Sequence, residues 1–393
     1  MENVSLGTVA SVKSGFAFKS RDWRAAGVPV IKIANVKDGF VMLDGCSFVD
    51  EAVARSAAAF ELKPGDILIS MTGYIGEVAR VRNEGRMLLN QRVGKFSIRN
   101  ASKLDNDFLF YCLRNPELKA KFAAHAYGAA QPNISPSLIE QQELPLPPLP
   151  IQRRIAGILS AYDELIENSQ RRIKILESMA RVLYREALDT GRESATPRPI
   201  ADSPYWRFIS ENVSNYAGTK RYYATADIDG LAITGPGIDY AFAGKPSRAQ
   251  KQPIPNSVWF ARMKETYKIA WYGAQDDELA SGVLLSSGFA GFEARDAELW
   301  PLLFLTISSG EFHVQKDLYC TGATQMSLTN EGLARIMLPS LDEQAARQLG
   351  RQAGPMLNAI AILQRRNENL RHTRDLLLPR LLSGQIDVEA MPA

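Results

Sequence analysis

The most constraining feature of this chain is that its second half repeats its first. Several short segments recur in the same order, and three of them recur 194 residues later. The matching segments are Gly128-Ala129-Ala130-Gln131 with Gly322-Ala323-Thr324-Gln325, Leu144-Pro145 with Leu338-Pro339, and Gln170-Arg171-Arg172 with Gln364-Arg365-Arg366. A fourth match, Leu149-Pro150-Ile151-Gln152 with Leu341-Asp342-Glu343-Gln344, has a spacing of 192, which predicts a small insertion. A repeat of this length predicts two copies of one structural unit.

Each copy begins with a mixed globular stretch. Short apolar runs bounded by Gly and Pro, at residues 28–33, 66–70 and 257–260, predict β-strands. A Pro-rich polar connection separates the copies and predicts a domain boundary. The expected fold class is therefore α+β, with globular domains at 1–148 and 205–340, helical segments at 149–190 and 341–393, and a linker at 191–204.

A long amphipathic helix follows each globular stretch. The apolar positions are Ile151, Ile155, Ile158, Tyr162, Leu165, Ile173, Leu176, Ala180, Leu183 and Ala187 in the first copy, and Leu349, Ala353, Met356, Ile360, Leu363, Leu370, Leu377 and Leu381 in the second. Their spacing alternates between three and four, with a stutter through Ser169, as in a coiled coil. Packing of each helix on its own domain is the simpler alternative, but two such helices favour pairing with each other. Gly354-Pro355 predicts a kink or restart in the second helix.

Composition and charge limit the possible functions. Of 393 residues, 46% are hydrophobic and 23% are charged, as in an ordinary globular protein. The three cysteines, Cys46, Cys112 and Cys320, lie far apart, which predicts neither disulfides nor a zinc site. No signal peptide or apolar membrane span is recognisable, so a soluble cytoplasmic protein is expected. A net charge of +3 is compatible with DNA binding only if the basic residues lie on one face.

Sequence motifs for catalysis are absent. The chain contains no phosphate-binding GxxxxGK[ST] loop, HExxH or GxSxG motif, and no Asn-Pro-Pro-Tyr or Asp-Pro-Pro-Tyr tetrapeptide of amino-methyltransferases. Each of the three histidines, His125, His313 and His372, stands alone and is given no functional role. These absences argue against methyl transfer and nucleotide hydrolysis by this chain.

The order of the segments resembles the specificity subunits of type I restriction-modification enzymes. The resemblance is carried by residues 65–73, by Asn90-Gln91-Arg92, by the Pro-rich entry at 144–149 and by the closing segment at 376–386. It covers essentially the whole chain. The second half departs most: Met263-Lys264-Glu265 stands opposite Met71-Thr72-Gly73, and Ser286-Ser287-Gly288 opposite Asn90-Gln91-Arg92. The same fold with a different recognised sequence is therefore expected there.

The resemblance implies a function without catalysis. Each globular half, a target-recognition domain, is expected to read one half of a split, asymmetric double-stranded DNA target, with the paired helices setting the distance between the halves. Two methyltransferase subunits would supply S-adenosylmethionine chemistry, and restriction-translocase subunits would supply ATP- and Mg²⁺-dependent cleavage. No cofactor and no metal is expected in this chain.

Candidate DNA-binding residues are those whose side chains suit base edges or phosphates. In the first half they are Lys13, Ser14, Phe16 and Lys19 in a basic and aromatic loop, then Ser70, Thr72, Tyr74, Asn90, Gln91, Arg92, Tyr127, Gln131 and Asn133. In the second half they are Lys220, Arg221, Tyr222, Tyr223, Arg248, Gln250, Lys251, Lys264, Thr266, Lys268 and Gln325. The alternative for each is an ordinary surface or core position. For Gln131 and Gln325, pinning of the loop before each helix is an equal alternative.

Two other functions remain open. A fused restriction-methylation enzyme would need a methyltransferase domain in the same chain, and the two repeats already occupy the 393 residues. A coiled-coil DNA-binding adaptor without sequence specificity would have interchangeable halves. The different residues at equivalent loop positions argue against the adaptor.

Overall fold

The fold divides into two units at points that lie inside both long helices. A computed structural model describes residues 3–37, 39–125, 133–190, 197–323 and 325–390. One unit comprises Met1–Ile166 with Asn369–Ala393, and the other comprises Glu167–Glu368. Each unit therefore contains one globular half and one stretch of each long helix. The expected α+β fold class is confirmed.

Strands of the first unit form two larger sheets and one short ladder. The strands β1 to β13 are Asn3–Ser5, Ala10–Ser14, Trp23–Arg24, Val28–Ile31, Val36–Lys37, Gly39–Val41, Ser47–Val49, Glu61–Leu62, Ile67–Ser70, Val78–Arg80, Met87–Leu89, Val93–Ile98 and Glu143–Pro145. The six-stranded sheet has the order β2-β12-β9-β10-β6-β5, and the five-stranded sheet has the order β3-β7-β4-β11-β8. β9 is buried along its whole length, which explains its continuous apolar sequence.

Helices of the first unit contact both of its larger sheets. α1 to α6 are Leu6–Val9, Glu51–Ser56, Asn106–Leu113, Pro116–His125, Pro136–Glu140 and Leu149–Thr190. Among them, α1, α3 and α5 contact the six-stranded sheet, whereas α2 packs on the five-stranded sheet. Asp50, Asp105 and Ser135 cap α2, α3 and α5 by accepting hydrogen bonds from backbone amides of the first turn. Short 3-10 helices lie at Ser20–Asp22, Ile33–Asn35 and Ala58–Phe60.

The second unit has smaller sheets. Its strands β14 to β27 are Arg198–Pro199, Trp206–Ile209, Lys220–Tyr223, Ile228–Asp229, Ala232–Ile233, Ile238–Tyr240, Ala249–Lys251, Ser257–Ala261, Ile269–Tyr272, Val283–Ser286, Phe289–Ala294, Cys320–Thr321, Ser327–Leu328 and Met337–Leu338. Two four-stranded sheets have the orders β15-β24-β21-β22 and β19-β16-β23-β20. β14 lies within the predicted linker 191–204, of which residues 191–196 are outside the described residues.

Helices of the second unit repeat those of the first. α7 to α11 are Asp277–Ser281, Trp300–Ile307, Gly310–Leu318, Asn330–Ala334 and Glu343–Leu382, with 3-10 helices at Ile200–Asp202, Thr225–Asp227 and Phe242–Gly244. α3 and α8, α5 and α10, and α6 and α11 each begin 194 residues apart. The threonine that caps α10, Thr329, is the counterpart of Ser135. The predicted duplication is therefore present in the backbone.

A two-stranded ladder closes the globular half of each unit. β1 pairs antiparallel with β13 through Val4 and Leu144, and β14 pairs with β27 through Arg198 and Leu338. Both pairs are related by the same shift of 194. The ladder joins the first strand of the half to the segment that leads into the long helix.

The starts of α6 and α11 change the residue correspondence of the fourth sequence match. Because α6 and α11 begin 194 residues apart, Gln152 corresponds to Ala346 and not to Gln344. Gln152 is fully buried and bonds three backbone groups, accepting from Asp105 N and donating to the carbonyls of Lys103 and Pro147. Ala346 is also fully buried but has no polar group, so the two helix starts are fixed differently.

The long helices share a core within each unit, which confirms their predicted pairing. In the first unit, Ile155 and Leu159 of α6 belong to the same cluster as Leu381 of α11. In the second unit, Ala180 of α6 belongs to the same cluster as Leu357 of α11. Each unit thus buries the apolar stripe of one helix stretch against the other.

Two details of the predicted helices need correction, namely the restart at Gly354-Pro355 and the place of Leu165 in the apolar stripe. α11 continues through Gly354-Pro355 without a restart; Pro355 is exposed, and water can satisfy the carbonyl that loses its partner. Leu165 was assigned to the apolar stripe but is 44% exposed. The buried positions there are Leu159, Asp163 and Ile166.

A buried carboxylate replaces an apolar residue in the stripe of the first unit. Asp163 accepts hydrogen bonds from Tyr111 Oη at 2.8 Å and from Arg114 Nη1 at 3.0 Å, and it forms an ion pair with Arg374 of α11. Burial alone would raise the pKa of Asp163, but Arg114 and Arg374 outweigh it and hold the pKa below its usual value. At the shift of 194, Leu357 is the counterpart of Asp163, and Ala180 is the counterpart of Arg374. The second unit therefore fills this place with apolar side chains.

Removing the Asp163 carboxylate is expected to destabilise the first unit. In Asp163→Leu, two arginines lose their shared buried partner, and the loss in unfolding free energy should be about 3–5 kcal/mol. Adding Arg374→Ala removes one orphaned charge, so the double variant should lose less than the sum of the single losses. Denaturant titration of the full chain measures each value. Glu164→Ala, at an exposed neighbour, is the control and should change stability by less than about 0.5 kcal/mol. Strictly additive losses would contradict the shared site.

Candidate nucleic-acid interface

In the first unit, backbone hydrogen bonds bring together segments that are distant in sequence. Beyond the end of β9, Met71 N donates to Arg92 O at 3.0 Å, and Met71 O accepts from Ile134 N at 2.9 Å. Gln91 N donates to Phe16 O at 2.9 Å. The first interface is defined here as residues 13–19, 70–77, 89–92 and 133–134. It contains all eleven of the predicted residues of this half that the structure describes.

Two of these residues, Lys13 and Ser14, lie in β2 at the edge of the interface, so the predicted loop begins only at Gly15. They pair with Lys95 and Gly94 of β12. Buried Val12 and exposed Lys13 alternate as a half-buried strand requires. Gly15 is needed where the chain leaves the strand, because a Cβ there would lie 2.2 Å from the carbonyl oxygen of Leu89.

Side chains of the first interface differ in how far they reach solvent. Gln91, Arg92 and Tyr74 are exposed, as are Lys13 and Lys19. These side chains offer amide, guanidinium, phenol and ammonium groups that can bond base edges or phosphates. They are the residues of this half best placed to meet a ligand.

Other predicted residues of this half shape the interface instead. Ser70 is fully buried; its hydroxyl donates to Tyr74 O and accepts from Glu77 N at 3.1 Å, so it closes the loop and does not face solvent. Thr72 Oγ1 donates to Asn133 Oδ1 at 3.0 Å, while Asn90 Oδ1 accepts from Arg92 N at 3.2 Å. Phe16 packs against other aromatic rings. Tyr127 and Gln131 lie outside the described residues.

The second unit repeats this backbone arrangement. Arg262 N donates to Gly288 O at 2.9 Å, and Arg262 O accepts from Leu328 N at 2.9 Å. Ser287 N donates to Arg248 O at 2.7 Å. The second interface is defined here as residues 262–268, 286–288 and 325–328 with Arg248.

The backbone pairing also refines the match between the halves. Gly288 takes the role of Arg92, so the predicted match of residues 286–288 with 90–92 holds. Arg262, not Met263, takes the role of Met71. The bridge of Met263 to Ser327 accordingly matches that of Thr72 to Asn133. The predicted match of 263–265 with 71–73 is therefore displaced by one residue at its start, where Met263 corresponds to Thr72.

Several basic side chains predicted to bind DNA are engaged within the second unit. Lys220 Nζ donates to Gln252 Oε1 and Ser281 O; Arg221 forms a two-bonded pair with Asp239; Lys251 Nζ donates to Ser210 O, Glu211 O and Asn212 Oδ1; and Lys268 Nζ donates to Thr225 O. Burial lowers the pKa of Lys220, and burial together with Arg262 lowers that of Lys251. Lys220, Lys251 and Lys268 thus bond backbone carbonyls of their own unit, whereas Arg221 bonds the side chain of Asp239.

A smaller set remains available in the second interface. Arg248 and Gln325 are exposed. Lys264 is half-buried, and its ammonium lies 3.9 Å from the sulfur of Met326. Thr266 Oγ1 donates to Lys264 O at 3.2 Å. Of the other predicted residues, Gln250 bonds Ser247 O, and Tyr222 and Tyr223 are half-buried on β16.

Sequence reasoning missed two buried charged groups. Asp163 with its two arginines was not singled out, although a carboxylate in an apolar stripe is a recognisable signal. Lys316 is fully buried on α9 and bonds the loop of the second interface, and no local pattern marks it. Within the described residues, no group of three or more His, Cys, Asp or Glu could hold a metal ion. No helix among them is long and apolar enough to cross a membrane.

Comparisons with known proteins agree with this arrangement. Residues 1–178 match the model of the type I restriction modification DNA specificity domain. The chain is 28% identical to the putative type I restriction enzyme MjaX specificity subunit of Methanocaldococcus jannaschii, over 92% of this chain and 88% of that protein. It is 31% identical to the MjaVIII specificity subunit of the same organism, a match that spans 45% of this chain and only 42% of the relative.

A solved structure has the same fold. The crystal structure of a type-I restriction-modification system S subunit from M. genitalium aligns with a TM-score of 0.57 and 17% sequence identity, covering 97% of this chain and 96% of that one. Its likeness extends over both units.

The duplicated fold, whose first half matches the model of a DNA specificity domain, defines the chain as a protein of two related units. Its sequence is similar to those of type I restriction enzyme specificity subunits. That this chain is a non-catalytic subunit stays a prediction.

The stability of the second unit is expected to fall on mild acidification. Burial, and to a lesser extent Lys316, lowers the pKa of His313 to about 4, although Asp317 and the Ile307 backbone oppose this. An unfolded histidine binds its proton near pH 6.5, so protonation opposes folding. The stability that neutral His313 contributes is fully present above about pH 6.5, and it is lost as the pH falls towards 4. Melting temperatures of the full chain at pH 7 and pH 5 measure the loss.

A histidine substitution separates this effect from general acid sensitivity. In His313→Phe, the part of the pH dependence that comes from His313 disappears, and the ring can still pack on Tyr267. His372→Phe is the control, because His372 is exposed on α11. Equal pH dependence in wild type and His313→Phe would disprove the assignment.

Proposed function

We propose that this chain reads a split, asymmetric target on double-stranded DNA, one half with each interface. We further propose that it carries two methyltransferase subunits, which bind S-adenosylmethionine, and restriction-translocase subunits, which use ATP and Mg²⁺. In this assembly the chain supplies sequence recognition and the framework, and its partners supply the chemistry.

The observation that carries the proposal is the same backbone frame with different side chains in the two interfaces. Equivalent hydrogen bonds link Met71 to Arg92 and Arg262 to Gly288. At these equivalent places the first interface exposes Gln91 and Arg92, whereas the second has Ser287 and Gly288. A conserved frame would dock on DNA in the same way twice, and unlike side chains would read unlike bases.

The exposed groups of the first interface suit base reading. Glutamine can bond an adenine edge through two hydrogen bonds, and arginine can do the same with guanine. Gln91 and Arg92 are adjacent and exposed, and their backbones are fixed through Phe16 and Met71. Fixed backbones reduce the entropy lost when the side chains engage a base.

In this proposal, the two long helices set the distance between the two half-sites. α6 has 42 residues and α11 has 40, and each contributes a stretch to both units. A 42-residue helix is about 60 Å long at 1.5 Å per residue. Such a framework supports recognition of two short sequences around an unread gap, as half-site spacing does in dimeric DNA readers.

Mapping of adenine methylation tests this function. The full chain would be produced together with its methyltransferase subunit in a host that lacks other adenine methylation, with a strain without the chain as reference. The expected result is a new motif of two specific halves separated by a constant gap. Identical methylation with and without the chain would overturn the proposal and favour the adaptor without sequence specificity.

Substitutions in the first interface should change one half of that motif. In Gln91→Ala and Arg92→Ala, the loss of base contacts should cost about 1–3 kcal/mol of discrimination at one or two positions of a single half-site. The other half and the gap should stay unchanged. Arg55→Ala, at an exposed residue of α2, is the control and should leave both halves intact. Equal relaxation of both halves would contradict the assignment of this interface.

A further inference from the structure

A lysine buried in the second unit holds the loop of the second interface from behind. Lys316 lies on α9 and is fully buried. Its ammonium donates to the carbonyl oxygens of Met263 at 2.8 Å and Thr266 at 2.9 Å. Both acceptors lie in the loop between β21 and β22. The ammonium therefore fixes the two ends of a four-residue stretch of backbone.

The next residue on the same helix fixes the middle of that stretch. Asp317 Oδ1 accepts a hydrogen bond from Glu265 N at 3.0 Å and lies 3.1 Å from the ammonium of Lys316. Glu265 has a φ of 55°, in the left-handed region that residues other than glycine rarely adopt. Such a conformation persists only when its surroundings impose it. The adjacent ammonium and carboxylate do so by binding carbonyls and an amide of one turn.

The first unit fixes its equivalent loop without a buried charge. At the shift that relates α3 to α8, the counterpart of Lys316 is Phe122, which is also fully buried. The loop that follows β9 is closed by the hydroxyl of Ser70. It lies against Phe122 at Gly76, where a Cβ would be 3.3 Å from the ring.

The two units use different polar groups to close equivalent loops. Ser70 pairs with Val93 at the end of β9, as Ala261 pairs with Phe289 at the end of β21. Ala261 has no hydroxyl to close the loop, and Lys316 supplies donors where Phe122 has none. Burial of an ammonium is unfavourable unless its hydrogen bonds are satisfied, and an apolar side chain at such a place is often as stable. A fully buried lysine here thus indicates a need for this particular loop geometry.

We infer that Lys316, supported by Asp317, is a positioning residue that sets the specificity of the second half-site. It acts through the loop backbone and touches no base itself. The loop presents Lys264 and Thr266 beside residues 286–288 and 325–328, to which Arg262 and Lys264 are bonded through their backbones. The inference rests on the proposed function, because it names what the second interface needs in order to read DNA.

Three variants of the full chain test this inference by methylation mapping with the methyltransferase subunit. Lys316→Met keeps most of the aliphatic stem and removes the ammonium. Asp317→Ala removes the acceptor of the Glu265 amide at a more exposed site and leaves the buried ammonium in place. Gln315→Met is the matched control on the same helix, because Gln315 bonds the backbone of Met337 at 2.6 Å and 2.8 Å, away from the loop.

The expected result is a change confined to the second half of the motif. Lys316→Met should reduce discrimination at one or more positions of that half by about tenfold or more, the scale of one mismatched base pair. Asp317→Ala should reduce discrimination at the same positions by a smaller factor. The first half and the gap should be unchanged in both, and Gln315→Met should leave the whole motif unchanged.

Other outcomes overturn the inference. An unchanged second half in folded Lys316→Met would show that the ammonium does not set specificity. Equal weakening of both halves, or the same change in Gln315→Met, would show that Lys316 contributes only general stability. If Lys316→Met does not fold, the methylation motif of Asp317→Ala tests the inference. An unchanged motif in Asp317→Ala would then contradict it. Absence of any split motif with the wild-type chain would instead mark failure of the proposed function.

Discussion

Backbone hydrogen bonding beyond the end of one buried strand in each unit is the constraint on which both interfaces depend. The segments after β9 and β21 each bond two others that are distant in sequence, through Met71 in the first unit and Arg262 in the second. These bonds involve only main-chain groups, so they do not require particular side chains. The side chains that project from the frame are therefore free to differ. This separation explains how one fold can hold two unlike recognition surfaces.

The buried charged residues also differ between the two units. Where the first unit has the carboxylate of Asp163 between arginines, the second has Leu357 among apolar side chains. Where the first has Phe122 behind its loop, the second has Lys316. A buried charge is tolerated in each case because several hydrogen bonds or opposite charges satisfy it. These buried charges of the two units, Asp163 and Lys316, are therefore placed at different points.

The roles of basic residues could not be assigned from their presence in the sequence. Lys220, Lys251 and Lys268 suit phosphate binding as well as Lys264 does, yet each of the three caps carbonyl groups of its own unit. Ser70 likewise suits a phosphate but closes its loop from a buried position. Whether a polar side chain meets solvent or backbone depends on neighbours that are distant in sequence.

The sequence by itself determined the duplication, the α+β class, the two long helices and their pairing, because repeats and heptad spacing are local patterns. It also indicated the segments that form the two interfaces. Only the tertiary structure decided which residues of those segments are exposed, where the two copies are displaced by one residue, and which buried groups hold them. Those features arise from contacts such as Asp163 with Arg374 and Lys316 with Met263, which join residues 211 and 53 positions apart. No periodicity in the sequence encodes such pairs, since each depends on how separate elements pack.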